Sequence, residues 1–285
     1  MKIVEQSVNV WGECPNNIQE AKLWIERAGR TCYNSPMPET PCPDKFLDKV
    51  MSQNPPHSSV FEHSNLIVKD SRQENFGSYL ARANRWITEI NLWQESDGTE
   101  PENQTRFYFG NYRAFMEALG QKSINGLMQC LEDLELVVTD PPAREAKRVT
   151  VELHTDRNVL AEITRHRNDV AFSVRSQRYV DENKLMEFIK PSWYDDAGFI
   201  VQQTFLYACQ QAELNYKTLR REFSPQHART VLNGQVKTVI IMTAYLPQWD
   251  WIFRLRRASN AYPQMILLMN MVYDRFLELG YVESD

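Results

Sequence analysis

The sequence has no apolar run long enough to cross a bilayer. Val239-Ile240-Ile241-Met242, for example, is four residues where a spanning helix needs about twenty. Its first residues, Met1-Lys2-Ile3-Val4-Glu5-Gln6, lack the apolar core of a secretory leader, so a cytoplasmic protein is expected. Cysteine is sparse and scattered (Cys14, Cys32, Cys42, Cys130, Cys209), odd in number and without a C-x-x-C pair. That excludes a disulfide framework and a thiolate zinc site. The histidines (His57, His63, His154, His166, His227) never take H-E-x-x-H spacing, and no metal site is expected. G-x-G-x-x-G and the phosphate-binding loop are absent too, so a dinucleotide would have to bind without a Rossmann unit. An excess of positive charge is missing as well. The net charge is -5 and the pI about 5.7, which argues against an extended nucleic-acid surface.

Against that acidic background one stretch stands out. Residues 165–179, RHRNDVAFSVRSQRY, gather Arg165, Arg167, Arg175, Arg178 and His166 around one carboxylate, Asp169. Guanidiniums packed so closely repel one another unless an anion lies between them, and their planar forks suit phosphate and carboxylate oxygens. A small phosphate-bearing ligand is one explanation; a solvated loop or a structural arginine–carboxylate network is the other.

The 285 residues, 42% hydrophobic and 24% charged, suffice for a soluble protein with a sizeable core. Residues 16–29 read as an amphipathic helix with Ile18, Ala21, Leu23, Trp24 and Ala28 on its apolar side. Pro43-Asp44 opens a second helix, Lys45 to Gln53, stopped by Pro55-Pro56. Phe61 to Lys69 reads as a strand, residues 95–105 as a polar loop, and Arg106 to Leu119 as a strand running into a helix. Asp140-Pro141-Pro142 marks a candidate boundary, and Val149 to Leu153 alternates like a strand. Thr155 or Asp156 can cap a helix from Arg157 to about Arg165. Pro225 to Leu232, Pro247 to Arg256 and Ala261 to Leu279 complete the helices. The expected fold is α/β, a central and mainly antiparallel sheet flanked by helices.

Further candidates are weaker when taken alone. His57-Ser58-Ser59-Val60-Phe61-Glu62-His63 puts two imidazoles, hydroxyls and a carboxylate at an element junction, where loops commonly carry function. Arg229 lies near His227, where a salt bridge is the plain explanation. Arg256 shares a helix face with Trp249, Ile252 and Phe253, so it either pairs with a carboxylate or meets a bound anion. Cys32 has no evident base beside it, and a buried free thiol is the commoner outcome.

Together these segments resemble the flavin-dependent thymidylate synthase (ThyX) family. Arg165-His166-Arg167, eight residues and then Ser176-Gln177-Arg178-Tyr179 resemble its signature, RHR followed at seven or eight residues by serine. Residues 155–164 resemble the helix ahead of that signature, and His57 to His63 its H-x-S/T-x-F-E-H element. Arg27 to Tyr33, Ala228 to Leu232, Lys237 to Ala244, Phe253 to Arg256 and Pro263-Gln264-Met265 resemble further family motifs in the same order. Residues of about 71–148 stand where short members have none, and read as an elaboration of a single domain spanning 1–285.

The resemblance implies an enzyme that methylates dUMP to dTMP with FAD, NADPH and 5,10-methylenetetrahydrofolate. It implies that Arg165, His166, Arg167, Ser59 and Glu62 line the flavin site, with His57 close to the folate. Glu162, Ser176, Gln177, Arg178 and Arg229 would hold dUMP, and Arg256 would stabilise the ionised uracil ring, as an oxyanion hole stabilises charge. A homotetramer with shared active sites is implied likewise. The chain departs from the family pattern at Tyr245, Pro247, Trp251 and Val174. Tyr245 and Trp251 stand at flavin-contact positions, where an aromatic ring either stacks on the cofactor or blocks its usual pose. Those departures keep two alternatives open, a pyrimidine-nucleotide hydroxymethylase and a non-catalytic nucleotide-binding relative.

Overall fold

The computed structural model describes residues 1–70, 76–93, 104–183 and 186–283. The chain opens with β1 (Lys2–Val4), β2 (Ser7–Glu13), α1 (Ile18–Cys32) and α2 (Pro43–Met51). A 3-10 turn, Ser58–Glu62, leads into β3 (Leu66–Asp70). Then come α3 (Phe76–Ala83), β4 (Thr88–Trp93), β5 (Gln104–Gly110), α4 (Tyr112–Ala118), α5 (Ile124–Asp133) and β6 (Val137–Val138). The second half runs β7 (Arg148–Asp156), α6 (Arg157–Ile163), β8 (Ala171–Val174), β9 (Glu187–Ile189), α7 (Phe199–Leu219) and α8 (Pro225–Ala228). It ends with β10 (Lys237–Tyr245), α9 (Leu246–Arg256) and α10 (Pro263–Glu278).

Two four-stranded sheets, β2-β7-β10-β8 and β4-β5-β3-β6, are antiparallel throughout, and β1 pairs with β9 in parallel. The fold is a mixed α/β arrangement with mainly antiparallel sheets, as expected. In the first sheet the period of two sorts the side chains by face. Val149, Val151 and Leu153 of β7 join Ile240, Met242 and Ala244 of β10, and α9 and α10 cover them with Trp249, Phe253, Leu268 and Phe276. Thr150, Thr243 and Ser173 lie on the opposite face. Gly12, at φ +109°, absorbs the register shift in β2, a conformation that side chains other than glycine's rarely adopt.

Local chemistry fixes the helix ends. Asn17 caps α1 by accepting from Gln19 N and Glu20 N, and Asp156, not Thr155, caps α6 by accepting from Val159 N at 2.8 Å. α1 runs three residues beyond the expected end, and its buried side chains include Lys22, Ile25 and Glu26, while Leu23 and Trp24 are only half-buried. Phe61 belongs to the 3-10 turn rather than to a strand, because the strand pairing with β5 starts only at Leu66. The helix expected over 225–232 is one α turn and one 3-10 turn, ended by the extended backbone of Leu232. Of the expected loop 95–105, residues 95–103 lie outside the described residues, and Gln104 and Thr105 already belong to β5. Among the described residues, no helix is long and apolar enough to cross a membrane.

A buried polar chain ties the sheet to the turn ahead of β3. His63 is fully buried, its Nδ1 2.8 Å from Thr243 Oγ1 and its Nε2 3.0 Å from Ser173 Oγ, and Thr243 Oγ1 is 2.8 Å from Thr150 Oγ1. Burial, with the charge of Arg148, lowers its pKa to about 3. His166, lowered to about 4 by burial and by Arg256, behaves alike. An unfolded histidine titrates near about 6.5, so below that pH the unfolded chain takes up protons that the native chain refuses. Stability is therefore expected to fall as pH drops from 7 to 5, by about 2 kcal/mol for each of these histidines. Urea melts across that range measure it. A midpoint unchanged between pH 7 and pH 5 would contradict the neutral burial of both rings.

Candidate active site

The arginine-rich segment is the thread on which the site is built. It leaves the end of α6, passes beneath the turn ahead of β3, pairs as β8 with β10, and ends against the C-terminus of α1. Each part of it meets a different group of predicted residues.

At its start, Arg256 from the last turn of α9 meets His166 and Glu162. Arg256 Nε donates to His166 Nε2 at 2.8 Å, Nη1 to Glu162 Oε2 at 3.2 Å, and Nη2 to the Glu162 carbonyl at 2.9 Å. A ring nitrogen that accepts from a guanidinium carries no proton, and the low pKa of His166 keeps it so at neutral pH. The two readings of Arg256 thus meet: it is paired, yet part of its fork remains exposed. His166 and Glu162, expected to serve different ligands, are joined through one guanidinium.

In its middle, Arg167 and Asp169 border a cavity of about 280 Å³ together with Glu62, Arg85, Arg113 and Arg148. Arg113 Nη1 donates to Glu62 Oε1 at 2.5 Å and Nε to Glu117 Oε1 at 2.7 Å. Arg148, 2% exposed, donates from Nη1 to the carbonyls of Glu62 and Ser64, both at 2.7 Å, and from Nη2 to that of Asp169 at 3.3 Å. Its Nε is buried without an acceptor. Asp169 takes a positive φ of 52°, and burial raises its carboxyl pKa. Ser59 sits half-buried on the same 3-10 turn as Glu62, and Arg165 is exposed.

At its end, Ser176 N donates to the Cys32 carbonyl at 3.0 Å, and Arg178 N to Ser176 Oγ at 3.2 Å. The Arg178 guanidinium reaches Gln226 of α8 at 3.4 Å, one turn ahead of Arg229. Arg157, at the start of α6, is close enough to Arg229 for that charge, after burial, to lower its pKa. Arg175 donates to Glu182 at 2.7 Å. Three donors here are buried without an acceptor: Arg157 Nη1, Arg175 Nε and Gln177 Nε2. Leaving such donors unmet costs on the order of 1–3 kcal/mol each, so the cluster is built to receive something that accepts. Glu162 lies five residues from Arg157 on α6, which puts the two groups about 7.5 Å apart along the helix axis.

His57 joins this end through Tyr33. Its Nδ1 is 3.1 Å from Tyr33 Oη, and the Tyr33 ring lies 5.7 Å from that of Tyr179. Burial lowers the His57 pKa. Two predicted residues stand apart. Tyr245 is the last residue of β10 and 7% exposed, its ring held edge-on against Phe109 at 5.2 Å and its hydroxyl donating to Asn65 Oδ1 at 3.4 Å. Its faces are taken by packing, so it offers no open ring for stacking. Trp251 is exposed on α9 beside Arg254, with Pro247 in the first turn of that helix.

Comparison with known proteins fits this picture. Residues 143–279 match the family model described as "Thymidylate synthase complementing protein". The match begins just past Asp140-Pro141-Pro142 and takes in Arg157, Glu162, the arginine-rich segment, Arg229 and Arg256. Residues 143–279, just under half of the chain, thus resemble the flavin-dependent thymidylate synthase family. A protein of Paramecium bursaria Chlorella virus 1, "Probable flavin-dependent thymidylate synthase", is 26% identical over 149 residues, covering 47% of this chain and 68% of its own length. His57, Ser59, Glu62, Arg113 and Tyr33 lie outside the family match, yet reach the site through the contacts described above. The sequence reading missed Arg148, Arg157 and Glu182, and it counted Arg175 in the cation cluster without giving it a role. Arg157 was legible as a cation ahead of the motif, whereas nothing local marks Arg148, the first residue of an apolar strand.

Proposed function

We propose that this protein is a flavin-dependent thymidylate synthase, which methylates dUMP to dTMP with 5,10-methylenetetrahydrofolate as carbon donor and NADPH as reductant. The observation that carries this reading is the pairing of one guanidinium held in place, Arg256, with a cluster that includes buried, unmet donors one short helix away. The cluster of Arg157, Arg175, Gln177, Arg178 and Arg229 suits a phosphate, and Ser176 belongs to the same turn. Arg256 would then face the pyrimidine. A fixed cation beside the ring lowers the cost of the negative charge that develops as carbon 5 becomes nucleophilic. Glu162 and neutral His166 hold that cation in place, so little reorganisation is needed when the charge appears.

FAD fits the residues at the middle of the segment. Four guanidiniums (Arg85, Arg113, Arg148, Arg167) against three carboxylates (Glu62, Glu117, Asp169) leave room for an anionic pyrophosphate, and Arg148 Nε is without an acceptor. Arg165, Arg167, Ser59 and Glu62 would hold the cofactor; when bound it supplies the reduction that completes the methyl group. Copies of the chain would assemble, as a homotetramer, through α7, which exposes Phe199, Ile200, Val201, Tyr207 and Leu214.

The test is direct. Purified protein is mixed with FAD, NADPH, dUMP and methylenetetrahydrofolate, and the nucleotide product is weighed by mass spectrometry while the flavin spectrum is followed. The expected result is a bound-flavin spectrum perturbed by dUMP, and dTMP as product. A hydroxymethylated nucleotide, or unchanged dUMP with no flavin bound, would overturn the reading.

A further inference from the structure

A second cavity, of about 570 Å³, opens between the C-terminal end of α1, the turn that follows it and α2. Its walls are apolar where Phe46, Val50, Tyr33 and Pro38 face it, and the charged side chains lining it are cations only: Arg30, Lys45 and Lys49. The size and the mostly apolar lining are those of a small-molecule site with a few polar groups to orient the ligand.

Arg30 is already committed. Its Nε and Nη2 both donate to Glu26 Oε1, at 2.8 and 2.6 Å, and Nη1 donates to Ser35 Oγ at 2.9 Å, so it braces the wall. The lysines are different. Lys45 and Lys49 lie four residues apart on α2, which puts them on one face, and neither has an ion-pair partner among the described residues. Asp44 does not compete for them, because it is taken by Lys22 at 2.7 Å. Two unpaired ammonium groups above an apolar floor match an aromatic body that carries carboxylates. The cavity also touches the site already described. Tyr33 and Val50 both line it, and both bond to His57: Tyr33 through its hydroxyl, Val50 through its carbonyl, which accepts from His57 N at 2.9 Å.

We propose that this cavity takes the p-aminobenzoylglutamate end of the folate donor, with the aromatic ring against Phe46 and Tyr33 and the carboxylates at Lys45 and Lys49. The assignment rests on the function proposed above. It places the one-carbon end of the donor toward His57 and the substrate site, and gives longer polyglutamate tails further cation contacts.

The experiment reads binding and turnover separately. p-Aminobenzoyl-L-glutamate and its triglutamate are titrated calorimetrically into the full chain and into the double variant K45E/K49E. Both lysines are exposed, so the variant is expected to fold, and circular dichroism checks it. The expected result is binding that weakens about tenfold or more in the variant, with the triglutamate losing more than the monoglutamate. The KM for methylenetetrahydrofolate rises in parallel, and dUMP affinity does not change. Cys42, exposed and lining the cavity, gives an independent readout: saturating p-aminobenzoylglutamate is expected to slow its reaction with a maleimide. Equal affinity in both proteins, or Cys42 labelling indifferent to the ligand, would overturn the assignment even if dUMP is converted normally. Lysine-dependent binding without turnover would uphold the cavity as an aromatic carboxylate site while removing the synthase reading.

Discussion

Replacing Arg256 with alanine is expected to lower the turnover of dUMP by about 100- to 1000-fold, the cost typical of losing one donor aimed at developing charge. The protein should stay folded. Arg256 lies in the last turn of α9, and its partner Glu162, 32% exposed, can be met by water in its absence. Melting midpoints are therefore expected to shift little, while kcat falls. Arg256→Lys separates charge from shape. Lysine restores a cation but not the fork that reaches His166 and Glu162 at once, so activity should recover only in part. A spectroscopic check does not depend on turnover. His166 is held near a pKa of about 4 first by burial and then by the guanidinium against its Nε2. Removing that charge should raise its pKa, visible in the imidazole proton resonances between pH 4 and 7. Turnover within threefold of the unsubstituted protein would show that Arg256 is a structural cap and nothing more.

That Arg256 and His166 belong together was not visible from their spacing. They lie ninety residues apart and meet only because α9 returns beside the end of α6. What the sequence carried well was local and patterned. The apolar alternation of Val149 to Leu153, the proline that opens α9, and the cation density of residues 165–179 each follow from short-range rules. The family motifs supplied the order of the site residues along the chain. What it carried poorly was long-range or averaged out. The twenty-one residues of α7 went unassigned because their apolar side chains are spread around the helix, with Phe199, Ile200 and Tyr207 exposed and Cys209 and Tyr216 buried. Phe61 and Glu62, the last residues of the 3-10 turn, read as the start of a strand because Phe61 lies close ahead of the apolar Leu66 to Val68. Tyr245 and Trp251 looked alike in sequence, two aromatics at expected cofactor positions. They differ in the fold because one ends a strand packed against β5 and the other lies on an outer helix face.

Arg148→Met is expected to destabilise the protein by about 3–5 kcal/mol, the largest single-residue effect on stability foreseen for this chain. The methionine fills much the same volume, so the loss comes from hydrogen bonding rather than from a cavity. Three carbonyls, of Glu62, Ser64 and Asp169, would lose their donor, and that of Ser64 is bonded in a fully buried place. These carbonyls belong to two different segments, the turn ahead of β3 and the loop after Arg167. Arg148 is thus the side chain that fastens one to the other, and Asp169, at φ +52°, is held in its unusual conformation beside that contact. The same guanidinium lies 5.1 Å from the Tyr245 ring, so its removal also uncovers the face of that tyrosine. Denaturant melts of Arg148→Met and Arg148→Lys measure the effect. The lysine is expected to recover less than half, since one ammonium on a shorter reach cannot serve both the Glu62–Ser64 pair and Asp169. Flavin affinity should fall in both variants, because Glu62 and Arg167 depend on the two segments keeping their spacing. A destabilisation below about 1 kcal/mol for Arg148→Met would mean that the carbonyls find other donors, and that the two segments are held together by the packing of Val60 and Phe61 instead.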